Sequence, residues 1–328
     1  MYMKRILFMA CLLTLPAIAA AHTRWFTDGD LAPLQTNEPT ALYLGVWGII
    51  MSLIVATGIY LHQHNYMRLG FLRPKAAHAY DRAASTFTMI AGSFFLIAGT
   101  HEYLFSPNLT AEAGIPLYLI VIQIAIGLAF MVGIGTRLSA IVLGFLWASV
   151  FYYSGWLVAI ENTWVLSTAI FIAIMGNDYF SLIGFSALKK WLIPFRSYAL
   201  SVLRIGTGIT LVILGLSEKL FAPEFGINFL SLHSWNFLQT IGLNFSDYLF
   251  VLSAGSVEII FGMIFLLGIV TRLNALVAAI FFTTPLFILG PIELAGHLPH
   301  FAAIILLLLF GNGGKFVLFK TYKDARVK

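Results

Sequence analysis

Charge and thiols are what this chain lacks. Charged residues occupy 10% of its 328 positions against 60% hydrophobic ones, and mean hydropathy is +0.91. So little polar side chain cannot cover a fold of this size in water, which makes the composition that of a membrane protein. The only cysteine, Cys11, falls in an amino-terminal stretch that reads as an export leader and has no convincing lipobox before it. Once that stretch is lost, disulfide exchange, CxxC redox chemistry and thiolate metal sites are excluded. No phosphate loop, Gly-x-Ser-x-Gly elbow or dinucleotide fingerprint occurs in a suitable setting. No basic face with interleaved aromatics occurs either, so the pI of about 9.3 does not point to nucleic acid.

What is present begins with residues 1–21: Lys4 and Arg5, an apolar run over 6–15, Pro16, then a small-residue tract with Ala19 and Ala21 placed for cleavage. Cleavage there makes His22 the new amino terminus and 22–40 a periplasmic segment. Nine apolar runs follow, at 41–61, 85–104, 115–134, 139–157, 163–178, 199–217, 248–270, 274–290 and 299–312. Each is near the roughly 17 to 25 residues a helix needs to cross the hydrocarbon. The predicted fold class is therefore all-α, a polytopic protein with about nine transmembrane helices in the lipid bilayer.

Charge placement gives an independent topology. With the mature amino terminus outside, the inner segments, including a basic tail at 313–328, hold 15 of the 19 Lys and Arg, and only Arg24 and Lys219 fall outside; Lys4 and Arg5 belong to the leader. That is a positive-inside pattern and predicts a bacterial inner-membrane protein with a cytoplasmic carboxyl terminus. Only three of the 14 carboxylates, Asp81, Asp178 and Asp324, lie inside. Acids contribute little to orientation, so their outward bias needs another cause.

The chain also repeats itself. GTHEYLFSP at 99–107 returns as GLSEKLFAP at 215–223, an offset of 116, which also relates Gly92 to Gly208. At an offset of 135, Gln123 falls on Glu258, Gly127 on Gly262, Gly133 on Gly268, GTRLSA at 135–140 on VTRLNA at 270–275, and Gly176-Asn177 on Gly311-Asn312. Residues 85–178 and 199–312 read as two copies of a four-helix module, preceded by the lone helix at 41–61. An even helix number makes the copies parallel.

In the second copy these landmarks are Glu218-Lys219-Leu220, Glu258, Gly268 to Arg272 and Gly311-Asn312-Gly313. In that order they resemble the DoxX and DoxD membrane-protein superfamily. The first copy differs, with Glu102-Tyr103-Leu104, Gln123 in place of the acid and Asp178 in place of the last glycine. The resemblance covers roughly 210 residues. It implies a four-helix bundle per module and, through the association of that family with thiosulfate:quinone oxidoreductase and related complexes, work near quinones beside a redox partner protein.

Four groups of residues are candidates for chemistry. Glu258 lies near the middle of the seventh run, where an acid costs roughly 2.5 to 3.5 kcal/mol and faces the bundle. It is either structural glue, or a proton relay or quinone-binding group, with Gln123 its non-titrating counterpart. Glu102 and Glu218 sit at outer helix ends, where a carboxylate opposes the macrodipole and calls for a partner such as His101 or Lys219. The segment GHLPH at 296–300 opens the ninth run with Pro299 in its first turn. His297 and His300 with Glu293 suit zinc, copper or non-haem iron if they converge, and are otherwise polar helix-end residues. A free amino-terminal His22 could bind copper. Arg137 and Arg272 serve inner helix ends and topology. Taken together, the outer acids and histidines suggest a periplasm-facing polar pocket in a quinone-linked subunit or partner of a membrane redox or stress complex. The alternatives are a proton-coupled transporter or channel at the repeat interface and a copper-handling protein.

Overall fold

The computed structural model describes residues 40–184, 186–233, 235–289 and 291–321; of residues 240, 285–289 and 291–295 it describes the backbone alone. The leader and His22 lie outside the described residues. The helices are α1 (Ala41–Gln63), α2 (Ala79–Thr100), α3 (Leu117–Val132), α4 (Thr136–Tyr153), α5 (Gly155–Glu161), α6 (Thr163–Met175), α7 (Ser186–Leu192), α8 (Ala199–Leu214), α9 (Glu224–His233), α10 (Phe237–Thr240), α11 (Asp247–Leu267), α12 (Thr271–Leu289) and α13 (Pro291–Phe310). No named strand occurs among the described residues.

Local sequence sets the ends. Thr40 and Ser246 accept the amides of Tyr43 and Leu249 and so start α1 and α11. Gly133 and Gly268, 135 residues apart, close α3 and α11 at positive φ, where a glycine carries no Cβ penalty. Asn162, between the fourth and fifth apolar runs, turns its side-chain amide back to the Val158 carbonyl, 2.9 Å away, and separates α5 from α6. α5 and α6 consequently meet at 54°.

Among the described residues, each apolar run overlaps helix over most of its length. Among the described residues, α1, α2, α4, the helical stretch at 186–220 and α11 are long and apolar enough to cross a membrane, and α5 with α6 forms a sixth span if the bent pair counts as one. α3 and the described parts of α12 and α13 are shorter apolar helices. This is the pattern of a multi-pass α-helical membrane protein. Two boundaries differ from expectation. The first helix of the second half continues past Leu214 as a π-helical turn over Gly215–Leu220, and the last helix begins at Pro291, so Pro299 lies inside it.

The two halves pack in mirrored fashion. α2 lies on α3, and α8 on α11; α4 lies on α6, and α12 on α13. Glycines make the first pair of contacts possible: a Cβ on Gly127 would come within 2.8 Å of the Gly92 carbonyl oxygen, and one on Gly262 within 2.6 Å of that of Gly208. The first helix of each half also packs on the last helix of the other, α2 on α13 and α8 on α6, more extensively than on its own last helix. The seam between the halves is therefore internal, and α8 touches α5, α6, α11 and α13. α1 stands apart, packed on α11 and largely exposed.

At the basic end, arginines tie helix ends together. Arg137 donates to Asp178 at 2.7 and 2.9 Å and to the Met175 carbonyl at 2.9 Å. Arg272 donates to the Leu308 and Leu309 carbonyls, both at 3.1 Å. Both sit in the first turn of their own helix, where a cation opposes the dipole. The expectation that they serve their own helix end is thus corrected: each satisfies the carboxyl-terminal carbonyls of the neighbouring helix. Arg204, fully buried in α8, does the same for α11 through Phe265 and Leu266, and reaches the Phe316 carbonyl at 2.8 Å.

Gly262→Val is expected to lower stability by about 1–3 kcal/mol through overpacking. Gly144→Ala, which meets nothing within 4 Å, should leave it unchanged; thermal melting in detergent compares the two. A second outcome concerns Asp178. Partial burial pushes its carboxyl up, but the hydrogen bonds and charges of Arg137 and Lys189 outweigh this and hold it below the usual carboxylate range. Its folded value being depressed, it contributes stability above the ordinary value of about 3.9 and loses it as pH falls through the folded value. Melting temperature should therefore fall less between pH 5 and pH 3 in Asp178→Asn than in the wild type.

Candidate functional site

The π-helical turn is where the second half departs from the first. Its i→i+5 geometry, with the Phe221 amide bonded to the Leu216 carbonyl at 2.8 Å, carries the chain one turn further than α2. This turn buries Gly215, Glu218 and Lys219 against α11, where a Cβ on Gly215 would lie 2.7 Å from the Gly255 carbonyl. Lys219, 1% exposed, donates to both carboxylate oxygens of Glu258, 6% exposed, at 2.9 and 2.8 Å. Glu258 lies eleven residues into α11, about 16 Å along its axis.

The same place in the first half is built without charge. Gln123, fully buried, accepts the Phe105 amide at 3.0 Å and donates to the Phe95 and Tyr103 carbonyls at 3.2 and 3.1 Å. Tyr103 is the residue that aligns with Lys219 at the offset of 116. One amide thus pins three backbone groups and holds the chain in a turn after Thr100, with Glu102 exposed at φ 64. The repeated phrase therefore adopts two shapes. Glu102 and Glu218 are not equivalent rim carboxylates, since Glu102 is exposed and Glu218 is buried. Lys219 is the partner of Glu258.

A second set of buried polar groups lines the seam. Trp164, at the start of α6, donates its backbone amide to the Thr210 hydroxyl of α8 at 2.9 Å, which satisfies a group left open by the break before α6. Its ring lies 5.0 Å from that of His300, and the His297 and His300 rings are 6.1 Å apart. Glu161 and Asn162, just before Trp164, are buried too. Both histidines lie within α13 and do not straddle its start, which corrects the expected cap position of Pro299. Among the described residues no three His, Cys, Asp or Glu side chains stand close enough to hold a metal. The side chain of Glu293 is not described, and His22 lies outside the described residues.

Above α11, the longer loop of the second half folds as α9 and α10. Phe229, Leu230, Trp235 and Leu238 pack there against Phe250 and Val251 of α11. This apolar cap lies about two turns outward of Glu258, so the pair is shielded along its own helix as well as from the side. Neither Lys219 nor Glu258 lines the cavities at the basic end or the groove beside α1.

Quinone carbonyls need hydrogen-bond donors facing free space. Here Lys219 is bonded to both oxygens of Glu258, and the amide of Gln123 is spent on backbone. Of the expected quinone-binding residues, Glu258 and Gln123 therefore do not fit a quinone head while these bonds stand. No protein family, curated protein or solved structure matches this chain.

Sequence reasoning missed Lys219 as the partner of Glu258, and it missed Glu161, Asn162, Trp164 and Arg204. Lys219 was already marked as one of two cations on the outer side. Glu161-Asn162 is a polar gap between two apolar runs, the signal of a break.

Removing one member of the pair should leave an uncompensated buried charge. Glu258→Leu or Lys219→Met alone is expected to cost about 3–5 kcal/mol, and the two together to recover most of it. Chemical denaturation in micelles, read as a double-mutant cycle, checks this.

Proposed function

We propose that this chain is a proton-handling protein of the bacterial inner membrane, built as two parallel DoxX-like repeats behind a lone helix, with the Lys219–Glu258 pair as its titrating element. The supporting observation is the pair itself: two opposite charges, both buried, in a helix seam where the other half has an uncharged glutamine.

Two protonation forms of such a pair are close in free energy when water is excluded. The charged form gains Coulomb attraction and loses hydration; passing the proton from the Lys219 ammonium to the Glu258 carboxylate gives a neutral amine and acid that lose less hydration. A proton added from one side makes the carboxyl neutral and leaves Lys219 charged and unpaired, which favours releasing a proton or repacking the π-helical turn. Buried ionisable groups within membrane spans are typical of proton routes. Glu218, Glu161, His297 and His300 occupy the same seam-forming elements around α8 and supply further groups that can carry a proton. Of the carboxylates expected on the outer side, Glu161, Glu218 and Glu258 are buried and belong to this acid–base core. A quinone-linked redox partner, suggested by the resemblance, would be the consumer or supplier of those protons; the chain's own residues supply the acid and base.

Proteoliposomes loaded with a pH-sensitive dye test this. The wild type should dissipate an imposed pH gradient, and Glu258→Gln should slow this at least tenfold while the protein still elutes as a folded species. Equal rates in the two, or no flux beyond that of empty liposomes, would sink the proposal.

A further inference from the structure

A cavity of about 710 Å³ opens at the basic end, where α1, α12 and the segment after α13 meet. His62, Arg68, Arg73, Arg272, Lys315 and Lys320 line it, and no carboxylate does so among the described residues. Arg68 and Arg73 lie near enough to Arg272 to repel its charge. Clustered cations with no counter-charge are a standing cost that a bound anion removes. A second, independent feature points the same way. Thr271 lines this cavity at the first turn of α12, is 4% exposed, and has a buried hydroxyl with no hydrogen-bond partner. Amide groups at a helix start and a hydroxyl are the usual complement of phosphate oxygens.

An apolar groove adjoins the cavity. Val270 lines both, and the groove, of about 240 Å³, runs between α1 and α11, with Ile54, Gly58, Val257, Phe261 and Val277 along its walls. Leu61 faces the groove and the next residue, His62, faces the cavity. His62 joins the two parts, since its Nδ1 accepts the Val270 amide at 3.4 Å and its Nε2 lies 3.0 Å from the Phe319 carbonyl. A cationic chamber at one end of a membrane helix, continued by a greasy slot along it, matches a molecule with a phosphate head and a hydrocarbon tail. A free phosphate would use the chamber and leave the slot without purpose.

We propose that this cavity and groove bind one anionic phospholipid, its phosphate held among Arg68, Arg73, Arg272 and the Thr271 hydroxyl, and one acyl chain laid between α1 and α11. Basic pockets between helix ends on the cytoplasmic side are suited to such headgroups, and the bound chain would fasten α1, which has few contacts of its own, to the rest of the bundle. This rests on the membrane-spanning reading but not on proton handling.

The test is thermal melting of the full chain in mixed micelles doped separately with phosphatidylglycerol, phosphatidylcholine and glycerol 3-phosphate. Phosphatidylglycerol alone should raise the midpoint, and its apparent affinity should fall at least tenfold in Arg68→Gln/Arg73→Gln and on raising the salt. Ile54→Trp, which fills the groove, should weaken it as well. Equal effects of the two lipids, an equal effect of glycerol 3-phosphate, or unchanged affinity in the arginine variant would overturn the proposal. Should that variant fail to fold, the three-ligand comparison on the wild type decides alone. Release of the protein from membranes by alkaline carbonate would instead overturn the membrane reading beneath it.

Discussion

Desolvation of the Lys219–Glu258 pair is the constraint around which the second half is arranged. Neither charge is tolerable alone in a low-dielectric interior, so the chain must bring an ammonium on a long stem to a carboxylate eleven residues inside α11. Ordinary α-helix continued from Leu214 would place position 219 differently around the axis. The π-helical turn widens the helix by one residue and sets Lys219 toward α11, while Gly215 and Gly255 allow the backbones the needed approach. The cap formed by α9 and α10 then covers the amino-terminal end of α11 with apolar side chains. In the first half the uncharged Gln123 imposes no such demand, and the chain turns away after α2.

The same logic accounts for the seam. Each half's first helix leans on the other's last helix, so groups buried there are shared between halves. Glu161, Trp164, Thr210, Glu218, His297 and His300 all come from α8 and the elements packed on it or continuing it. The opposite end is built differently, with Arg137, Arg204 and Arg272 each holding the last carbonyls of a neighbouring helix. One end is thus fixed by cations on backbone, and the other holds the titratable side chains.

Much of this was legible in the sequence, for physical reasons. Long apolar runs declare helices because the bilayer demands complete backbone hydrogen bonding, and glycines at 92, 127, 208 and 262 declare close helix pairs because nothing larger fits. Glu258 stood out because an acid in such a run is costly. Its partner was hidden, since Lys219 lies 39 residues away in a phrase whose first copy has tyrosine there. Nor could repetition reveal that one phrase takes two conformations: that depends on whether residue 123 or 258 waits across the interface. The start of α13 was misplaced because Pro299 is a strong first-turn signal, whereas packing carries the helix through it.

We propose that the Lys219–Glu258 pair rests in its charged form, the ammonium donating to both carboxylate oxygens, and takes up a proton when the seam is perturbed. Infrared difference spectra of wild type against Glu258→Gln, recorded across a pH titration in reconstituted membranes, address it directly. A carboxylate band at neutral pH that is missing from the variant, and that converts to a protonated carboxyl band on acidification, is the predicted result. A protonated carboxyl band assigned to Glu258 at every pH would contradict the account.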